Sequence, residues 1–203
     1  PSGKHRAGRR DQEVQALRAL LLVCVMALAD CATVPDSQPA LALRGAPELP
    51  RFQLEGRLQV RDGERSAAVG VYWEHAPELD SWLFTGPLGQ GLARIESKAG
   101  GGARMILSDG RQVSAGTAAE LAESVLGVGA PLAELPRWVT ARVRPHAEVR
   151  ALDALGRPLK VIDGGWTIDY VDYVGEAPDD LPRKIDIHRG DTRLRLIVDS
   201  WNP

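Results

Sequence analysis

The sequence predicts a mainly β protein of about eleven antiparallel strands with two short helices. From Phe52 onward, short apolar stretches alternate with polar residues and are separated by glycine-containing turns, which is the pattern of strands that bury one face. One interruption, at about residues 117–142, has helical spacing instead. A sheet of this length must curl. It therefore either closes into a barrel or stays open, with the helices covering its concave face.

The first hairpin is predicted around Asp62-Gly63, a dipeptide typical of tight turns between strands. Apolar residues recur on both sides of it: Leu54, Leu58, Val60, Val69, Val71 and Trp73. Two further strands flank the turn at 86–91, and Gly100 and Asp109-Gly110 punctuate the stretch after them. The later strands are predicted over the ranges 147–153, 157–163, 165–173, 182–188 and 192–200.

The helical interruption opens with a capping box. Thr117 is followed three residues later by Glu120, and this pair typically satisfies the first free N–H groups of a helix. Apolar residues at helical spacing follow, up to the stop at Gly127: Leu121, Ala122, Val125 and Leu126. Pro136 predicts the start of a second short helix that carries Trp138 and Val139.

Residues 1–30 are predicted to be a secretory signal. Residues 1–10 are basic and Ala16 to Ala29 are almost continuously apolar, which is the order of a signal's charged and apolar regions. An apolar run of this length reaches roughly 21 Å as a helix, which is short of the hydrocarbon core of about 30 Å. Both cysteines, Cys24 and Cys31, lie in or just after this run, so the body of the protein has no cysteine for a disulfide.

Cys31 is a candidate lipidation site, because Leu28-Ala29-Asp30-Cys31 resembles the lipobox of bacterial lipoproteins. Asp30 departs from that pattern, which normally has a small uncharged residue before the cysteine. The alternatives are a plain cleaved signal and a buried helix with a chance cysteine. Residues 31–51 are predicted to be an extended tether, since they contain four prolines and little periodicity: Pro35, Pro39, Pro47 and Pro50.

Charge and motifs exclude several classes of function. Five of the 25 basic side chains and three of the 27 acidic ones fall in residues 1–30, so the remainder, with 20 basic and 24 acidic side chains, is mildly acidic. Nucleic acid is therefore not expected as a partner. The four histidines are scattered, no serine lies in a G-x-S-x-G motif, and the carboxylates Asp169 and Asp172 are typical of a solvated surface. We predict a protein that is not an enzyme and binds no metal or cofactor.

Leu88 is unusual for its position. It lies in the turn Gly86-Pro87-Leu88-Gly89-Gln90-Gly91, and turn tips normally carry polar side chains because an apolar one buries nothing there. Either the leucine folds back onto the protein or it is held out for an apolar partner.

Three segments together resemble the LolB family of outer-membrane lipoprotein receptors. They are T-G-P-L-G-Q-G-L-A-R around Leu88, W-x-I-D-Y at 166–170 and R-L-R-L-I-V-D-S-W at 193–201, and the resemblance covers about Leu54 to Trp201. It implies an unclosed barrel, formed by residues 52–203, with a helical lid over an apolar cavity. It also implies that Leu88, flanked by Pro87 and Gly89, protrudes and is needed for membrane insertion.

The resemblance implies a monomeric lipoprotein on the periplasmic face of the outer membrane, anchored through a lipid on Cys31. Such a protein takes acylated lipoprotein cargo from a soluble LolA-like carrier and inserts it into outer-membrane lipid without nucleotide. This function needs an interior that is vacant beneath a movable cover. The predicted lining of that cavity is Leu58, Val69, Val71, Trp73, Leu83, Leu121, Val125, Trp138, Trp166 and Ile168.

Two other functions remain open from the residues alone. A carrier or binder of lipid would share the cavity, and an envelope scaffold would have a solid core instead. The five tryptophans do not decide between a filled interior and a vacant one.

Overall fold

The computed structural model describes residues 42–46 and 48–203. The predicted signal, Cys31 and most of the predicted tether lie outside the described residues. The part of the tether that is described, 42–46 and 48–51, has neither helix nor strand. Its backbone bonds to a turn of the folded domain, where the Arg44 N–H donates to the Gly156 carbonyl at 2.8 Å.

Eleven strands and two helices make up the described chain. The helices are α1 (Ala118–Leu126) and α2 (Leu135–Val139). The strands are β1 (Phe52–Asp62), β2 (Arg65–Ala76), β3 (Leu79–Thr85), β4 (Gly91–Lys98), β5 (Ala103–Leu107), β6 (Gln112–Ala115), β7 (Glu148–Leu152), β8 (Pro158–Asp163), β9 (Trp166–Tyr173), β10 (Pro182–Arg189) and β11 (Thr192–Asn202).

All strands form one antiparallel sheet in the order β6-β5-β4-β3-β2-β1-β11-β10-β9-β8-β7. The first and last strands pair at its centre, from Gln53 opposite Asn202 to Asp62 opposite Thr192. The two edges are β6 and β7, which are consecutive along the chain, and the segment that joins them contains both helices. The predicted fold class, a mainly β protein with an unclosed antiparallel sheet and a helical cover, is confirmed.

The core lies on one face of this sheet. Leu54, Gly56, Leu58 and Val60 of β1 are buried, whereas the residues that alternate with them, Glu55, Arg57 and Gln59, are exposed. This alternation follows from the period of two along a strand, and the same face of each neighbouring strand adds to one continuous apolar cluster.

The helical segment ends where its capping residues predict. The Thr117 hydroxyl oxygen accepts from the Glu120 N–H at 3.3 Å, and Gly127 closes α1 with a φ of 71°, a conformation that favours glycine. α2 begins at Leu135, one residue before the predicted start. Among the described residues, no helix combines the length and the apolar character needed to cross a bilayer.

Gly56 marks an irregularity in the central pair of strands. The register between β1 and β11 shifts between Glu55 and Gly56, as it does at a β-bulge. A Cβ atom added at Gly56 lies 2.3 Å from the Ile197 carbonyl oxygen and 3.1 Å from the Val198 Cα. Both are backbone atoms, so relief requires the strands to move apart.

We therefore expect Gly56→Ala to destabilise the protein by about 1–3 kcal/mol, the usual range for overpacking. Thermal unfolding followed by circular dichroism measures this as a lower midpoint temperature. Gly91→Ala is the matched control, because Gly91 is also a strand glycine and an added Cβ there meets nothing within 4 Å. Equal midpoints for the two variants contradict the prediction.

Candidate functional site

The turn between β3 and β4 holds Leu88 out of the protein. The Leu88 side chain is 93% exposed, the largest value among the exposed apolar residues of the described chain. The Gly89 N–H donates to the Gly86 carbonyl at 2.9 Å, which closes a four-residue turn with proline in the second position, where its fixed φ suits the turn. Gly89 has a φ of 79°, and such a residue after a turn is typical of a bulged hairpin. Of the two alternatives for Leu88, the structure has the leucine held out.

Gln90 stabilises this turn, a role that the sequence did not predict. The Gly86 N–H donates to the Gln90 carbonyl at 2.8 Å, and the Gln90 side-chain oxygen accepts from the Leu88 N–H at 3.2 Å. The Gln90 amide also occupies the space beside Gly86, where an added Cβ meets it at 2.3 Å. Leu88 is therefore presented by a hydrogen-bonded loop.

The helical segment covers the concave face of the sheet. We call residues 117–142 the cover. Three residues of α1 are buried in the core cluster: Leu121, Ala122 and Leu126. Leu132, in the connection between the helices, and Leu135, the first residue of α2, are buried there too.

Nine of the ten predicted lining residues belong to this apolar interior. Leu58, Val71 and Trp73 line a small cavity between sheet and cover. Val125 is partly buried and packs against the core cluster. The other five are buried within the cluster: Val69, Leu121, Trp138, Trp166 and Ile168.

Leu83 is the exception and requires a correction. It lies between Trp82 and Phe84 on β3, both of which are buried in the core, so its side chain faces the opposite side of the sheet. It is opposite Tyr72 on one neighbouring strand and Arg94 on the other. Trp82 and Phe84 line the interior in its place.

Among the described residues, the cavity between sheet and cover is small, so the expectation of a vacant cavity is wrong for this conformation. The cavity between sheet and cover has a volume of about 20 Å³, which is room for roughly one water molecule. A cavity that holds benzene is about 150 Å³, and an acyl chain is much larger than benzene. Eight residues outside the predicted lining also border this cavity: Leu54, Trp82, Phe84, Leu132, Leu135, Ile187, Leu194 and Leu196.

Aromatic rings pack one end of this interior. Phe52 lies edge-on to Trp73 at 5.0 Å and to Trp201 at 5.5 Å, and Trp73 lies 5.6 Å from Trp82. Such ring pairs stabilise a core beyond their buried area. Three of the five tryptophans are therefore part of the packing at this end.

A buried polar contact fastens the cover to the sheet. The Trp138 indole N–H on α2 donates to a carboxylate oxygen of Asp163, at the end of β8, at 2.9 Å. The Arg144 Nε lies 3.3 Å from the same oxygen, which is ion-pair distance, although that N–H is not aimed as a hydrogen bond. Arg144 also pairs with Glu134 of the cover. Asp163 is buried, so loss of these partners leaves an uncompensated charge.

The polar groups singled out in the sequence are neutral or paired with opposite charge in the described residues. Burial raises the pKa of Tyr170 and of Tyr173 above the usual range, so both phenols stay neutral in the interior. Asp169 lies 2.8 Å from Lys160 Nζ, and Asp172 lies 3.9 Å from Arg183. In the described part of the chain, no three His, Cys, Asp or Glu side chains are grouped to hold a metal ion.

Similarity to known proteins adds an independent observation. The family described as "Outer membrane lipoprotein LolB" matches residues 50–201. A protein named "Outer-membrane lipoprotein LolB" from Azoarcus sp. (strain BH72) is 40% identical over 91% of this chain and 94% of its own length. One of the same name from Thiobacillus denitrificans is 36% identical over 90% and 96%. Among solved structures, a LolA superfamily protein from Nitrosomonas europaea covers 80% of this chain and 88% of its own, at 10% identity and a TM-score of 0.48. The chain therefore belongs to the outer membrane lipoprotein LolB family.

Proposed function

We propose that this protein receives acylated lipoproteins from a LolA-like periplasmic carrier and inserts them into the outer membrane without nucleotide. The observation that carries this proposal is the exposed Leu88, held out by an ordered turn in a chain of the LolB family. The protein acts as a monomer, and its cargo is recognised through the acyl chains.

The physical problem is the exposure of acyl chains to water. Burying one CH₂ group stabilises by about 0.8 kcal/mol, so a sixteen-carbon chain in water costs about 12 kcal/mol. Free diffusion through an aqueous space is therefore excluded. A receptor must shield the chains throughout the transfer, which requires apolar surface that becomes accessible only when cargo is present.

The filled interior supplies that surface by exchange. Leu132 and Leu135 of the cover lie against Leu58, Trp73 and other apolar residues of the sheet. When the cover moves away, cargo chains take the place of these two leucines, so the sheet exchanges one apolar partner for another. Transfer proceeds downhill if affinity for the chains rises from carrier to receptor to membrane.

Leu88 acts at the last step. Its side chain contacts nothing that would be lost on entering lipid, since it is already 93% exposed, and transfer of one leucine from water to an apolar phase is favourable by roughly 1.5–3 kcal/mol. This is enough to bias the loop toward the bilayer without making its contact permanent. The hydrogen-bonded turn keeps the leucine extended, so no ordering cost arises at contact.

Replacement of Leu88 by Glu should leave cargo uptake intact and block insertion, because a carboxylate at the tip opposes entry into lipid. The measurement is transfer of an acylated lipoprotein from its carrier, with uptake and arrival in vesicles followed separately. Val174→Glu is the matched control, because Val174 is an exposed apolar residue (57%) that follows β9, at the opposite end of the sheet from Leu88. Insertion by Leu88→Glu at the wild-type rate would remove Leu88 from the mechanism.

Replacement of Leu132 by Ala tests the exchange of side chains in the interior. Wild-type protein must displace a leucine whose burial is worth about 1.5–3 kcal/mol, so the variant should bind a fluorescent fatty acid roughly tenfold more tightly while it unfolds more easily. Val128→Ala is the control, since Val128 is a buried side chain of the cover that does not line the cavity. If neither wild type nor Leu132→Ala binds the fatty acid, the filled interior is the solid core of an envelope scaffold, which is the second candidate function.

The membrane anchor is a lipid on Cys31, with residues 1–30 removed as a signal and 31–51 as the tether to the folded domain, 52–203. Mass spectrometry of the mature protein should show a diacylglycerol-modified, N-acylated Cys31 as the first residue. An unacylated start downstream of Cys31 favours a soluble carrier instead. Cys31→Ala in the full chain provides the reference mass without the lipid.

A further inference from the structure

A second feature lies on the face of the sheet opposite the core. A trough of about 440 Å³ crosses β2, β1, β11 and β10 near the turns that join β1 to β2 and β10 to β11. The polar residues that line it are Gln59, Arg61, Ser66, Asp186, His188, Arg193 and Arg195. A small side chain of β2, that of Ala68, leaves room along one side.

Strand register places four hydrogen-bond donors in one row of this trough. Ser66 lies opposite Arg61, Arg61 opposite Arg193, and Arg193 opposite His188. Directly opposed residues of antiparallel strands share a face and have Cβ atoms about 4.5–5.5 Å apart. The row therefore presents a hydroxyl, two guanidinium groups and an imidazole side by side.

The two central arginines of the row have no acidic partner. Arg61 Nε donates to the Gly63 carbonyl at 3.2 Å, and within residues 42–46 and 48–203 neither Arg61 nor Arg193 lies within 4.0 Å of a carboxylate. Like charges directly opposed across two strands are destabilising, so an anion between these guanidinium groups would relieve a repulsion as well as form hydrogen bonds.

The adjacent row is already neutralised. Arg195 donates two hydrogen bonds to Asp186, each of 2.7 Å, and these bonds lower the pKa of that carboxyl. Asp186 therefore compensates Arg195 and leaves the charge of Arg61 and Arg193 uncompensated. Nearby, Asp169 lies 3.3 Å from His188 Nε2, on the β9 side of the row.

The trough and Leu88 lie at the same end of the sheet. β1 and β3 both run antiparallel to β2, so the turns that follow them share an end. Thr85 of β3, Gly70 of β2 and Arg57 of β1 lie side by side across the sheet. Leu88 follows Thr85 by three residues, and Arg61 follows Arg57 by four, toward the same end of the sheet. The centre of the row is about three strands from the Leu88 turn, or roughly 15 Å at the usual strand spacing.

We propose that this trough binds the phosphate of an anionic lipid headgroup when Leu88 enters the bilayer. Guanidinium groups bind phosphate oxygens through paired, charge-assisted hydrogen bonds, and a basic group near an anionic membrane surface adds affinity. The site would hold the protein beside the lipid into which cargo is released. The membrane source of the phosphate rests on the proposed role of Leu88.

The test measures lipid retention directly. Full-length protein in detergent micelles is mixed with phosphatidylglycerol or phosphatidylcholine, and bound lipid is counted by native mass spectrometry. We expect wild type to retain phosphatidylglycerol in preference to phosphatidylcholine, and Arg61→Gln/Arg193→Gln to retain about tenfold less of it. Leu88→Glu should retain it like wild type in micelles, so this result does not depend on lipoprotein insertion.

Arg51→Gln/Arg183→Gln is the control of equal charge change, because both of these exposed arginines lie at the opposite end of the sheet. Wild-type retention by the Arg61/Arg193 variant, or equal loss in the control, would overturn the proposal. Displacement of the lipid by equimolar inorganic phosphate would overturn the lipid assignment in favour of a free anion. Thermal unfolding of each variant shows that it is folded, and the single variants Arg61→Gln and Arg193→Gln should each lose part of the retention.

Discussion

The pairing of the first strand with the last determines the architecture of this protein. β1 and β11 pair over ten positions at the centre of the sheet, so the edges are two consecutive strands from the middle of the chain, β6 and β7. An unclosed sheet leaves a concave apolar face, and burial of that face is favourable by about 25 cal/mol for each Å² removed from water. The chain between the two edges is the segment placed to cover it, and it contains both helices.

The contacts that hold the cover on the sheet bear on both stability and the proposed function. The cover is held by apolar packing and by the buried hydrogen bond from Trp138 to Asp163. It adds no strand to the sheet, whose strand pairing ends at β6 and β7. Displacement of the cover, which the proposed function requires, would therefore leave the strand pairing intact. Leu132 and Leu135 line the small cavity between sheet and cover, so the apolar face of the sheet is kept out of water. Under the proposed function, the filled interior is the resting state.

Two ends of the sheet have different characters. One carries the Leu88 turn and the arginine row, whereas Phe52, Trp73 and Trp201 pack together toward the other. An apolar tip beside uncompensated cations is the combination that suits the boundary between headgroups and acyl chains. The same surface that delivers cargo would thus also recognise the lipid that receives it.

Short residue patterns in the sequence were enough to determine the strands, the start of α1 and the Leu88 turn. Alternating apolar residues and glycine turns gave eleven strands, the Thr117–Glu120 pair gave the start of α1, and the proline and glycines around Leu88 gave a turn, because each of these signals acts over a few residues. The resemblance to the LolB family rested on the order of three such segments. Tertiary structure alone decided which way side chains face in the run Trp82-Leu83-Phe84, where three apolar residues in succession give no alternation to read. It also decided the volume of the interior, since that volume depends on how Leu132 and Leu135 meet the sheet. The arginine row likewise depends on tertiary structure, because Arg61 and Arg193 are 132 positions apart in the chain and become neighbours only through the register of β1 with β11.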